Sequence, residues 1–218
     1  MLFKKEHCIR EVILVCNDKT DEKFEGCTLY NMDLRNYEKN KMINFGVSKA
    51  SSEIIALLDS DRVLPKGYFG DVESRMSPGL FFSCENMIQL VRPHSDEEIE
   101  SGELEGNMEE RCKGWEPRRK NLFSGNTVFT KQDFFNVGGM DENFVGYGFA
   151  DNDMTYNVMS KGMNAIWMDG LEIHLHHEKE TMEGNKMVGF DKYRKTSQKN
   201  FNRFIGKWRL EEYAKKIY

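Results

Sequence analysis

The chain has 218 residues, 39% of them apolar, 31% charged and 12% aromatic, with a formal net charge of -5 at pH 7. That is enough for one domain with its own core, and the acidic total argues against a nucleic-acid-binding role. No run reaches the roughly 18 apolar residues of a membrane-spanning helix, and the start, Met1 to Glu6, lacks a secretory apolar core. The five cysteines are odd in number and contain no C-x-x-C, which describes a reducing compartment and makes a cytoplasmic location the expectation.

In chain order, Glu11 to Cys16 is a short apolar run that ends in Asn17-Asp18-Lys19-Thr20, as a buried strand of a parallel sheet does. Cys27 to Tyr30 is a weaker strand. Between Asn40 and Ala50, Ile43, Val47 and Ala50 recur at helical spacing, and Glu53 to Leu58 is a second buried strand that stops at Asp59. Strand, helix and strand of these lengths predict a β-α-β unit. Residues 94–118 open with a run of acidic side chains and read as a solvated loop or insertion. Leu122 to Phe129 returns to strand material. Helices are predicted from Lys131 to Val137, closed by Gly138-Gly139, and from Asp151 to Lys161. Asn164 to Met168 and Glu172 to His176 read as two short strands.

From Lys192 to Tyr218 nine Lys or Arg stand against two Glu, while Phe201, Phe204, Ile205 and Trp208 keep helical spacing. Residues 191–218 therefore predict a basic amphipathic helix packed on a domain formed by residues 1–190. Its basic face either sits in water or meets a phosphate, an anionic acceptor or, peripherally, a membrane surface.

Asp59 and Asp61, with Ser60 between them, lie at the carboxyl end of a strand, where open α/β sheets bind ligands. Alternation turns both carboxylates to one side, where they can hold a divalent ion and the ribose or diphosphate of a nucleotide. A capped turn is the plainer alternative. His174-Leu175-His176-His177 adds imidazoles suited to zinc, nickel or manganese. Alternation places His174 and His176 on one face. No H-E-x-x-H occurs, which argues against a zincin hydrolase.

Longer stretches carry a resemblance. Residues 44–65 read N-F-G-V-S-K-A-S-S-E-I-I-A-L-L-D-S-D-R-V-L-P, which resembles the family two glycosyltransferases at Asn44, Gly46, Ala50, Asp59, Asp61 and Pro65. Ile43 stands where that family has Arg, and Arg62 where a third Asp is frequent. F-S-G-N-T-V-F-T from Phe123, V-G-G-M-D-E-N-F from Val137 and G-Y-G-F-A-D-N-D from Gly146 resemble the acceptor half of β-1,4-galactosyltransferases and bacterial chondroitin polymerases.

The resemblance spans about residues 11–180 and implies an α/β fold of the GT-A type, a Rossmann-like mixed central sheet flanked by helices. It implies a metal-dependent inverting glycosyltransferase that moves a sugar from a nucleotide diphosphate, expected to be UDP, to a glycan or other hydroxyl acceptor. Asp151 would be the catalytic base. Asp18, Lys41, Asn44, Asp59, Ser60 and Asp61 would bind the donor, Lys41 replacing the missing Arg. Gly125, Asn126, Tyr147, Gly148 and Asp153 would form the acceptor or sugar pocket. Asp61 with His176 or His177 would hold Mn2+ or Mg2+.

Two departures stand out. Ala150 replaces the Glu that precedes the base. The family's first strand and helix, which carry part of the nucleobase pocket, would precede Glu11; a longer chain, a second polypeptide or a shortened sheet would account for this. The alternatives to an enzyme of this kind are a non-catalytic sugar-nucleotide or glycan-binding module and, against the glycine-rich blocks, a nucleotidyltransferase.

Overall fold

Strand β1 (Ile13–Cys16) pairs in parallel with β2 (Thr28–Asn31), Ile13 opposite Thr28 and Cys16 opposite Asn31. Helix α1 (Lys39–Lys49) follows and packs on β1, so closely that a side chain at Gly46 would lie 3.1 Å from Val15 Cγ2. Then come β3 (Ile54–Leu58), β4 (Arg62–Val63), α2 (Tyr68–Arg75), β5 (Leu80–Gln89), α3 (Asp96–Ser101), β6 (Arg118–Arg119) and β7 (Asn126–Thr130). The chain closes with α4 (Lys131–Asn136), α5 (Ala150–Ser160), β8 (Asn164–His174) and α6 (Gly189–Trp208). This computed structural model describes residues 8–17, 20–34, 36–90, 95–101, 118–119, 122–175 and 189–211.

The main sheet is mixed, in the order β3-β7-β5-β8-β4, with β6 joined to β5. β5 and β8 run parallel at its centre, while β3–β7, β5–β7 and β4–β8 are antiparallel. The predicted β-α-β unit is not one sheet: β1 and β2 form their own pair, and β3 pairs with β7. Among the described residues β3 has a neighbour on one side only, which suits its composition, with Ile55 buried but Ile54 and Ala56 exposed.

β5 shows why its strand signal is weak. Successive residues turn to opposite faces, and both faces are covered. Phe81 packs with Phe123, Phe129, Phe134, Val47 and Met154 beneath α1, α4 and α5. Phe82 and Cys84 pack with Tyr68 and Val72 of α2. A strand buried on both sides loses its alternation and is marked instead by a continuous apolar run, which Ser83, Glu85 and Asn86 interrupt in β5. The two short strands predicted after Asn164 are one, β8. Between Cys84 and Asn86 its register shifts, so that Asp169 and Gly170 bulge opposite a single residue. Gly170 has φ +126° with Pro65 close against it, so a side chain does not fit there. Within the acidic stretch, Ser95 and Glu98 form a capping box that opens α3.

The tail helix α6 spans Gly189–Trp208, and residues 212–218 of the expected helix lie outside the described residues. Phe201 and Phe204 pack on Phe149, and Tyr156 meets Phe204 and Trp208. Its basic side is partly committed within the molecule: Lys207 reaches Asp153 at 2.7 Å and Asp141 at 3.3 Å, and Arg203 reaches Asp141 at 3.3 Å. Among the described residues no helix is long and apolar enough to cross a membrane.

Partial burial works to raise the Asp141 carboxyl, but hydrogen bonds from Asn143 and the charge of Lys207 outweigh it and hold the group at about 2. A carboxyl depressed on folding stabilises the folded state above its unfolded value of 3.8, and that contribution is lost as pH falls towards 2. Denaturant titrations of wild type and Asp141→Asn, stepped downward from neutral pH, should show a constant wild-type advantage that closes over this acid window. A difference that does not change with pH would contradict this role of Asp141.

Candidate active site

The site begins where β3 ends. Asp59 N–H donates to Gly125 O at 2.7 Å, which fixes the carboxyl end of β3 against the entry to β7. Ser60 is exposed in the turn, and the chain re-enters the sheet as β4, with Arg62 opposite His174 and Val63 opposite Ile173. Leu175 N–H donates to Asp61 O at 2.8 Å. That pairing brings His174 Nε2 to 3.0 Å from Asp61 Oδ2, across 113 positions of sequence.

Asp59 faces a different partner. Lys39, the first residue of α1, places Nζ 2.9 Å from Asp59 Oδ1 and 3.8 Å from Asp151 Oδ1. Enclosure alone would lower the Lys39 ammonium; Asp151 first, then Asp59, outweigh it and push it up. Tyr37 lines the same place: enclosure raises its hydroxyl, Lys39 works against this, and Asp59, Asp151 and Asp61 add to the rise. Asp59, Asp61 and Asp151 therefore share one cleft. Asp151 lies in the first turn of α5, where the helix dipole favours a carboxylate.

Under this cleft lies a buried polar network. Glu172 of β8 is fully buried and receives a hydrogen bond from Asn126 Nδ2, while Arg62 Nη1 lies 3.4 Å from its carboxylate. Arg62 Nε stands 3.2 Å from Asp61. Tyr68 donates its hydroxyl to Asn126 Oδ1 at 2.8 Å, and burial holds that phenol protonated by pushing it up. Gly125, at φ +100°, is left without a side chain because one would collide with Glu172 Oε1 and lie 3.0 Å from Arg62 Nε.

These placements sort the residues expected from sequence. Asp59, Asp61 and Asp151 are brought together. Lys41 pairs with Glu38 on the surface of α1, so the cation at Asp59 is Lys39 instead. Asn44 holds α1 to the loop before α5, exchanging hydrogen bonds with the backbone of Met140 at 2.9 Å in both directions. Asn126 is buried within the network, and Asp153 is buried against α6, where it accepts from Lys207 and Trp208 at 2.7 Å. Tyr147 is 44% exposed on the loop before Asp151, and a side chain at Gly148 would lie 3.0 Å from Ser197 Oγ of α6. Asp18, His176 and His177 lie outside the described residues.

Lys39, Glu172 and Arg62 were not marked by sequence as working parts. Alternation in Glu172-Ile173-His174 does place Glu172 and His174 on one face, the usable signal.

The family described as the N-terminal domain of galactosyltransferase matches residues 109–181, fewer than half of the chain but including Asn126, Asp151 and His174. No curated protein matches. Among solved structures, GalNAc-T7 with UDP, GalNAc and Mn2+ superposes with a TM-score of 0.59 and 11% identity, over 90% of this chain and 41% of that one. A mutant Drosophila β-1,4-galactosyltransferase 7 in complex with manganese, UDP-Gal and xylobiose superposes with a TM-score of 0.51 and 13% identity, over 86% of this chain and 79% of that one. The fold is the GT-A glycosyltransferase fold. This chain thus spans well under half of the first of these structures and most of the second.

Arg62 compensates a carboxylate with no exposure, so removing it strands a buried charge. Arg62→Met should cost about 3–5 kcal/mol in denaturant unfolding, and the double variant Arg62→Met/Glu172→Met should recover much of that. A single variant as stable as wild type would show that the pair is not needed.

Proposed function

We propose that the chain is an inverting, metal-dependent glycosyltransferase that transfers a sugar from a nucleotide diphosphate donor, UDP by preference, to a hydroxyl of a glycan or similar acceptor. The observation that carries this reading is the convergence of Asp59 and Asp61 from the turn between β3 and β4 with Asp151 of α5 and His174 of β8 on one cleft of a GT-A sheet. The family match and the complexes formed by the structural neighbours with UDP and manganese support the same class.

In this reading Asp59 binds the ribose side of the donor. Asp61 and His174, a carboxylate oxygen and an imidazole nitrogen 3.0 Å apart, suit two neighbouring positions around one divalent ion. His176 or His177 would add to them. Among the described residues no cluster of three such groups occurs, so the donor's phosphate oxygens and water would complete the shell. Mn2+ or Mg2+ bound there supplies charge neutralisation for the departing diphosphate.

Asp151 accepts the proton of the acceptor hydroxyl while that oxygen attacks the anomeric carbon. The bond from that carbon to the diphosphate oxygen breaks, and its electron pair leaves with the nucleotide diphosphate. Tyr147, exposed on the adjoining loop, would meet the acceptor.

A non-catalytic sugar-nucleotide or glycan-binding module is the second reading, favoured by Ala150 at the position before the base. A panel of nucleotide-sugar donors with Mn2+, followed by release of nucleotide diphosphate, decides between them. Wild type should turn over at least one donor, and Asp151→Asn should lose about 100-fold or more in kcat. Undiminished release by Asp151→Asn would refute the base assignment. Binding of UDP without turnover of any donor would favour the binding module.

A further inference from the structure

Lys39 belongs to no motif, yet it sits at the centre of the site. We propose that Lys39 is a positioning residue, the cation that ties the donor-side carboxylate of Asp59 to the base Asp151. The inference rests on the reading of Asp151 as the base and adds to it a device for holding that base in place.

Three elements meet at this ammonium. Lys39 opens α1, Asp59 ends β3, and Asp151 lies in the first turn of α5. Nζ lies 2.9 Å from Asp59 Oδ1, 3.3 Å from Asp59 Oδ2 and 3.8 Å from Asp151 Oδ1. The three side chains are 24%, 33% and 29% exposed, so water screens the charges only in part. Without a cation between them, the carboxylates would repel and Asp151 would turn outward.

The backbone beneath Lys39 is fixed from the same direction. Asn40 donates to Asp141 O at 2.7 Å, and Asn44 exchanges hydrogen bonds with Met140. The start of α1 is therefore set against the loop that leads into α5. An ammonium carries three donors and no acceptor, so after serving two carboxylates it retains a third N–H.

The test compares wild type, Lys39→Met, Lys39→Arg and Lys39→Met/Asp151→Asn. Nucleotide diphosphate release is followed at saturating substrates, UDP affinity with Mn2+ is measured by calorimetry, and thermal melting is recorded for all four. Lys39→Met should lose roughly 100-fold in kcat with UDP affinity unchanged, and Lys39→Arg should recover part of the rate. The melting temperature should fall in Lys39→Met and rise again when Asp151→Asn removes the repulsion.

Unchanged kcat in Lys39→Met would overturn the proposal. So would a loss of UDP affinity that matches the loss in rate, since Lys39 would then be a phosphate ligand. Failure of Asp151→Asn to restore melting would also overturn it, by showing only lost packing. If wild type turns over no donor, the transferase reading fails, and the melting comparison still decides whether Lys39 ties Asp151 to Asp59.

Discussion

A carboxylate buried in the middle of a sheet is the constraint on which the site depends. Glu172 has no exposed surface, so its charge must be met inside the protein. Arg62 and Asn126 meet it, and Gly125 leaves the room they need. Those partners come from β4, from β7 and from the turn that receives the end of β3. Satisfying Glu172 therefore draws the strand ends together, and with them Asp59 and Asp61. A buried pair of this kind adds little net stability compared with apolar packing, but breaking it is costly. Its effect is to specify one arrangement of the strand ends.

The upper half of the cleft is arranged from the helices. Asp151 and Asp153 are neighbours on α5 with different surroundings: Asp151 faces Lys39, which also pairs with Asp59, while Asp153 is buried against Lys207 and Trp208 of α6. Asn200 of α6 also donates to the carbonyls of Val145 and Tyr147, at 3.1 and 3.0 Å. Phe149 adopts φ +63° at the start of α5, a costly conformation for a non-glycine residue, and its ring is held by Phe201 and Phe204. The basic tail thus braces the loop and the helix that carry Asp151.

Much of this was legible in the sequence. β1, α1, β3, β7, α4, α5 and α6 follow from apolar periodicity and glycine punctuation, and Asp59 and Asp61 follow from a strand that stops. β5 did not declare itself, because Ser83, Glu85 and Asn86 interrupt the continuous apolar run that marks a strand covered on both faces, and α2 did not declare itself either. β8 read as two strands because Asp169-Gly170 resembles a turn and is a bulge. Asn44, Asn126 and Asp153 resembled ligand contacts, yet each is engaged by the protein itself. Motif residues are selected by packing as well as by substrate, and spacing does not separate the two. Lys39 reaches the site only through tertiary packing, which no local pattern encodes.

Under the proposed function the strand ends present Asp61 and His174 as one half of a metal and nucleotide diphosphate site. Calorimetric titration of UDP with and without Mn2+, on wild type, Asp61→Asn and His174→Ala, tests it most directly. The account predicts that Mn2+ tightens UDP binding to wild type by about tenfold or more and that either substitution removes this gain. UDP binding that is equally tight with and without Mn2+, in wild type and variants alike, would contradict it.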